Sequence, residues 1–260
     1  MKRILALMLA LLLLCTLVAC KDEPSEEEEG GVDMTVENNE KVYTAEGEFN
    51  DRFTYEYIRG DEVAIIGFDA SDKQHAITIP SVIDDRPVTK IEDRAFYHMT
   101  NLTAVTIPEG VTEIGDQAFA KCNALTAVSM PATLTAIGEA AFAYCSALDG
   151  VAIPAAVTKI GNSAFAGCAK LTSIALPDAV TVVGEYMFMN CVSLQTVAWS
   201  TQLTEIQKFA FSGCTALSVT FPASVKTIGD YAFAGCPNVA EPTLSEGTIG
   251  TNAFYVGSAV

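Results

Sequence analysis

The chain is short of the residues that carry most enzymatic and metal chemistry. Two histidines, His75 and His98, and one tryptophan, Trp199, stand in 260 residues. The histidines lack metal-ligand spacing, no Cys-x-x-Cys pair occurs, and Gly-x-Ser-x-Gly, Ser-x-x-Lys and phosphate-loop patterns are missing. These gaps argue against an enzyme, and no cofactor or metal is expected. Positive charge is scarce too, at 15 Lys and Arg against 32 Asp and Glu for a net charge of −17. Without a basic cluster, nucleic acid is not an expected partner. Paired acids such as Asp84 and Asp85 read as solvated loop residues.

Long apolar runs are rare as well, and the one at the start has a recognisable form. Met1-Lys2-Arg3 is basic, Ile4 to Leu14 is apolar throughout, and Leu17-Val18-Ala19-Cys20 ends the stretch on small residues and a cysteine. From Ile4 to Ala19 there are 16 residues, short of the ~20 that span a bilayer, so residues 1–19 read as an export signal. Leu17 to Cys20 resembles the lipobox of bacterial lipoproteins, which implies acylation of Cys20 and a membrane anchor there. An ordinary cleaved signal or an uncleaved helix are the competing readings. Residues 20–41, with Asp22, Glu23 and Glu26 to Glu29, suit an acidic flexible tether. About 20 such residues hold a domain roughly 25 Å from the bilayer.

What the chain has in abundance is one pattern. Phe96, Phe119, Phe142, Phe165, Phe188 and Phe211 recur every 23 residues, with Cys122, Cys145, Cys168, Cys191 and Cys214 in step, and the register then shortens to Phe233, Cys236 and Phe254. A fixed period overrides the length-based expectation of one or two globular domains in favour of one array, residues 91–260, behind an N-terminal cap and first coil at 42–90. In each repeat Leu102-x-x-Val105-x-Ile107 alternates as a short strand that Pro108 ends. Val111-Thr112-x-Ile114 is a second extended piece, Gly115 marks a turn where a Cβ would crowd, and Asp116 to Asn123 suits one helical turn. Stacked coils would form a parallel sheet with columns of like side chains.

Ahead of the repeats, Phe53 to Ile58 and Val63 to Ile66 read as a hairpin turning through Arg59 to Glu62, and with Ile77 to Pro80 they would cover the open end of the array. The residues Ile83 to Pro87, extra relative to later repeats, are expected to bulge as a loop.

The Ile-Gly-x-x-Ala-Phe-x-x-Cys core together with Leu-x-x-Val-x-Ile-Pro resembles the BspA-type (treponemal-type) leucine-rich repeats of bacterial surface proteins, over about Ile77 to Phe254. The resemblance implies a leucine-rich-repeat solenoid, β-rich α/β, coiled right-handed with a parallel sheet on its concave face. It also implies a cell-surface location and a protein-binding or adhesive role towards proteins of a host or neighbouring cell.

Four features bear on contact chemistry. The six cysteines of the array are expected to be buried free thiols rather than disulfides or metal ligands. Arg59-Gly60-Asp61 spells the integrin-recognition tripeptide at the hairpin turn, although turns favour Gly and Asp in any case. Outward strand positions, among them Ala104, Thr106, Ala127, Ser129, Gly150 and Ala152, are all small, which counts against glycan capture on that face. The repeat breaks its own rules at Val183, Met187, Trp199, Ser200 and Gln207, and Tyr186, Met187, Met189 and Trp199 concentrate bulk there, which makes this coil the candidate partner contact or a locally repacked core. Function is accordingly read as a lipid-anchored adhesion module, with a glycan-capturing lipoprotein or a passive spacer as alternatives.

Overall fold

The fold comes from a computed structural model of the chain that describes residues 52–69 and 76–257. Residues 1–51, which include Cys20 and the expected tether, and His75 lie outside the described residues. The repeats stack as coils of a β-solenoid, each contributing one or two short strands and one turn segment. The Phe column is continuous from Phe96 to Phe254: successive ring centroids lie 4.9–5.7 Å apart, with planes within 15° of parallel. Leu102, Val111, Ile114, Ala118 and Cys122 and their equivalents fill the space around these rings. Removing one ring from such a column, as in Phe165→Ala, would cost about 3–5 kcal/mol.

Two parallel ladders hold the coils in register. Ala76–Thr78, Ala104–Thr106 and Ala127–Ser129 pair residue for residue, as do Ser173–Ala175 and Thr196–Ala198. The second ladder is longer and runs through Ile91, Ile114, Ile137 and Ile160, then Val183, Ile206, Ile228 and Ile249. Gly115 and Gly138 sit on this ladder because an added Cβ would come within 2.6 Å of the backbone of the preceding coil.

The segment expected to be a helical turn is not helical. Gln117 and Lys121 are left-handed, at φ 55° and 62°, as are their equivalents in other coils. Each flips the direction of the next peptide, so N–H groups alternate in destination. Ala118, Ala120 and Cys122 donate within the coil, to Gly115, Gln117 and Phe119, while Gln117, Phe119 and Lys121 donate to Glu139, Ala141 and Ala143 of the next coil at 2.7–2.8 Å. The turn is thus a third ladder. Left-handed geometry costs a non-glycine residue roughly 1–2 kcal/mol, which the added inter-coil hydrogen bonds offset.

The hairpin forms as expected, Phe53–Ile58 against Glu62–Phe68, and Val63 to Ile65 pair with Val88 to Ile91 of the first coil. Phe68 and Phe53 continue the ring column beyond Phe96. The expected loop at 83–87 is instead a second hairpin, Val82–Ile83 against Arg86–Ile91. Asp84 and Asp85, at φ 51° and 59°, form the two-residue turn that such hairpins favour. Asp84 is also no free acid: the hydroxyls of Tyr55 and Tyr57 both donate to its Oδ2 at 2.7 Å.

The array has a seam. The long ladder is interrupted between Ile160 and Val183, and residues 150–152, expected as a strand, pair with neither neighbour. Phe142, Phe165 and Phe188 have the widest ring spacings, 5.6 and 5.7 Å. Gly184 likewise has its nearest backbone neighbour at 3.7 Å, not 2.6 Å. Gly150 occupies the outward strand position filled elsewhere by Ala, Ser or Thr, and nothing lies within 4 Å of its would-be Cβ. Gly150→Thr should therefore raise stability by about 0.5–1 kcal/mol through reduced chain entropy. Calorimetry should show a rise in Tm of about 1–4 °C; an unchanged or lower Tm would show that Gly150 does not loosen the seam.

Candidate functional sites on the solenoid

Among the described residues no three His, Cys, Asp or Glu converge as a metal site, and no helix is long and apolar enough to cross a membrane. The cysteine column is structural. Cys122, Cys145, Cys168, Cys191, Cys214 and Cys236 are free and buried, and each thiol donates to a phenylalanine carbonyl of the preceding coil at 3.1–3.3 Å. A small side chain with a weak donor suits this place, since the carbonyl lies in apolar surroundings. Burial pushes the thiols up, Cys122 and Cys191 to about 12 and Cys236 to about 11, and Cys145, Cys168 and Cys214 upward as well.

The structure divides the candidate contact coil. Met187 is fully buried in the core, in the column of Ala118 and Ala141, so it is no contact residue. Trp199 is half-buried at the strand face: its ring packs edge-on against Phe211 and stacks with Phe221 at 6.0 Å, and its Nε1 donates to the Thr220 carbonyl at 2.8 Å. Ser200, where most coils have Pro, is buried and donates to the Asp178 carbonyl. Tyr186 and Met189 lie half-exposed on the turn segment, away from the Trp199 strand. Tyr186 begins a surface stack that the sequence reading missed, Tyr186 on Phe209 at 5.2 Å and Phe209 on Tyr231 at 5.0 Å, with Asn252 donating to the Tyr231 hydroxyl. Its signal was the column 186, 209 and 231, visible once the period is laid out.

Arg59, Gly60 and Asp61 are exposed at the hairpin tip, and the Asp61 carboxylate is 3.6 Å from Arg86. Tyr57, beneath Arg86, is pushed up to about 12, chiefly by its hydrogen bond to Asp84. Two open troughs of about 390 and 350 Å³ follow the long ladder, one over Glu113, Ala136 and Lys159, the other over Glu205, Thr227 and Thr248.

Parallel coils of nearly constant length, a leucine-rich strand and a Phe column define a leucine-rich repeat solenoid. The family model "BspA type Leucine rich repeat region" matches in six copies across residues 67–195 and 158–258. The chain belongs to that family. A solved T. pallidum leucine rich repeat protein is 30% identical with TM-score 0.69, the match covering 73% of this chain and 88% of that one. A leucine rich cell surface protein of Faecalibacterium prausnitzii is 32% identical with TM-score 0.70, covering 80% of this chain but only 56% of that longer one. A leucine-rich repeat protein of Bacteroides ovatus is 25% identical with TM-score 0.58, covering 79% and 67%. No curated protein matches the chain.

The thiol shifts generate a pH dependence. Folded thiols titrate above the ordinary 9.0, so their protonated state favours the fold fully below pH 9, and that contribution is lost as pH rises towards the folded values. Each buried thiol removes about 1.4 kcal/mol per pH unit above 9. Circular dichroism should show steep alkaline unfolding from about pH 9 upward, shifted to higher pH in Cys145→Ala/Cys168→Ala. Identical alkaline midpoints in parent and variant would contradict burial of these thiols.

Proposed function

We propose that the chain is a lipid-anchored, adhesive protein-binding module of a bacterial cell surface. The observation that carries this reading is the coil from Val183 to Ile206, where Tyr186, Met189 and Trp199 stand half-exposed although their equivalents in the preceding coil are Ser163, Ala166 and Leu176. Aromatic and Met side chains are enriched at the cores of protein interfaces. Tyr186 and Met189 form the contact on the turn face, and Trp199 a second on the strand face. Arg59-Gly60-Asp61 adds an exposed hairpin tip. The likeness to a protein described as cell-surface supports the location, and the lipobox-like Leu17 to Cys20 supports an anchor.

Binding is tested with the lipid-free chain from Lys21 against extracellular-matrix proteins, neighbouring-cell extracts and a glycan panel. Saturable capture of a protein is expected, weakened at least about tenfold by Tyr186→Ala/Met189→Ala, equivalent to about 1.4 kcal/mol. A protein captured equally well by the variant would displace the contact, and saturable glycan binding with no protein partner would overturn the reading. Separately, cells expressing the chain should incorporate labelled palmitate into it, and Cys20→Ala should abolish the label. Label retained by Cys20→Ala would sink the anchor.

A further inference from the structure

The turn face of the first three repeats carries a cationic and aromatic cluster that the function above does not use. Arg94, Tyr97 and His98 come from the first turn, Lys121 from the second and Tyr144 from the third, and all five are exposed. The Tyr97 ring gathers two cations and a second ring: Lys121 Nζ lies 5.4 Å from its centroid, the Arg94 guanidinium 6.0 Å and the His98 ring 6.1 Å. Arg94 is further fixed by donating from Nε to Gln117 Oε1. Among the described residues neither Arg94 nor Lys121 has a carboxylate partner, in a chain with twice as many acids as bases. Asp93 and Asp116, on the same turns, accept from the backbone N–H groups of Asp116 and Glu139.

The positions themselves are telling. His98, Lys121 and Tyr144 occupy one column at φ 60°, 62° and 61°, where later coils use Gly167, Asn190, Gly213 and Gly235. Glycine adopts this geometry without strain, so side chains here are not what the fold needs. Tyr144 leans across Gly167, where even a Cβ would meet its ring at 2.7 Å, and remains 53% exposed. The outcome is an exposed patch over three consecutive coils in which the Tyr97 and Tyr144 rings stand beside two cations that lack a carboxylate partner. A pyranose unit has an apolar C–H face and, where its primary carbon is oxidised, a carboxylate at its edge. Its C–H face suits an aromatic ring, and a uronic carboxylate suits Arg or Lys.

We propose that Arg94, Tyr97, His98, Lys121 and Tyr144 bind an acidic polysaccharide, a chain of sugars bearing carboxylates. The site is distinct from the protein contact proposed above, so either can fail alone. The full chain is titrated with polygalacturonate and with hyaluronan, beside neutral dextran, poly-glutamate and phosphatidylglycerol vesicles. Binding of at least one acidic polysaccharide is expected, weakening with salt and falling at least tenfold both in Arg94→Gln/Lys121→Gln and in Tyr144→Ala, with Tm and protein capture unchanged. Tyr144→Gly serves as a second probe, since glycine occupies this column elsewhere. Absence of binding to both acidic polysaccharides overturns the proposal. So does equal binding of dextran, or binding of poly-glutamate or vesicles that matches the polysaccharides and ignores Tyr144.

Discussion

Everything in this molecule follows from the demand that each coil satisfy its backbone through its neighbours. A strand of two or three residues has no stability alone, and neither does a turn with two left-handed residues. Three ladders per coil, two of strands and one of turns, supply the missing hydrogen bonds, and the Phe column between them excludes water. Because each coil contacts only the next, stability is distributed along one dimension. The seam near Gly150 and Val183 shows the consequence. Two strand ladders lapse there, and the ring column with the turn ladder carries the connection.

That architecture separates what the fold needs from what it leaves open. Inward columns are nearly invariant along the chain: Phe, Cys, Ile and small Ala recur coil after coil. Outward columns vary from coil to coil without disturbing the stack. Arg94, Gln117, Ala140, Ser163, Tyr186, Phe209 and Tyr231 all share one left-handed position. Surface chemistry can therefore change within a coil at little expense to the core, which is how a repeat array carries distinct contacts on one scaffold.

Most of the inward half was legible in the sequence. Phe119 and Cys122 announced their columns by period, Gly115 its crowded turn, and the Phe53 to Phe68 alternation its hairpin. The turn geometry was not legible, because Gln117 and Lys121 are residues that helices accept, and only their neighbours in the next coil force them left-handed. Asp84 differs in a related way: an acid in a turn looks free until the Tyr55 and Tyr57 hydroxyls are placed on it, whereas Asp85 is exposed as expected. Met187 looked like surface bulk because its column, otherwise alanine, was read as an irregularity rather than as core. The Tyr97 and Tyr144 cluster was not legible, because its residues come from three repeats and from different columns and break no single repeat's pattern.

The stacking itself is open to direct measurement in solution. Spin labels at Thr112 and Thr204, both exposed and four repeats apart on the long ladder, should give a narrow distance distribution centred near four coil rises, about 20 Å between the backbones at 4.7–4.9 Å per coil. A broad distribution, or a centre far from four coil rises, would mean that the repeats do not pile in register, and the columns on which both proposed contact surfaces rest would not exist.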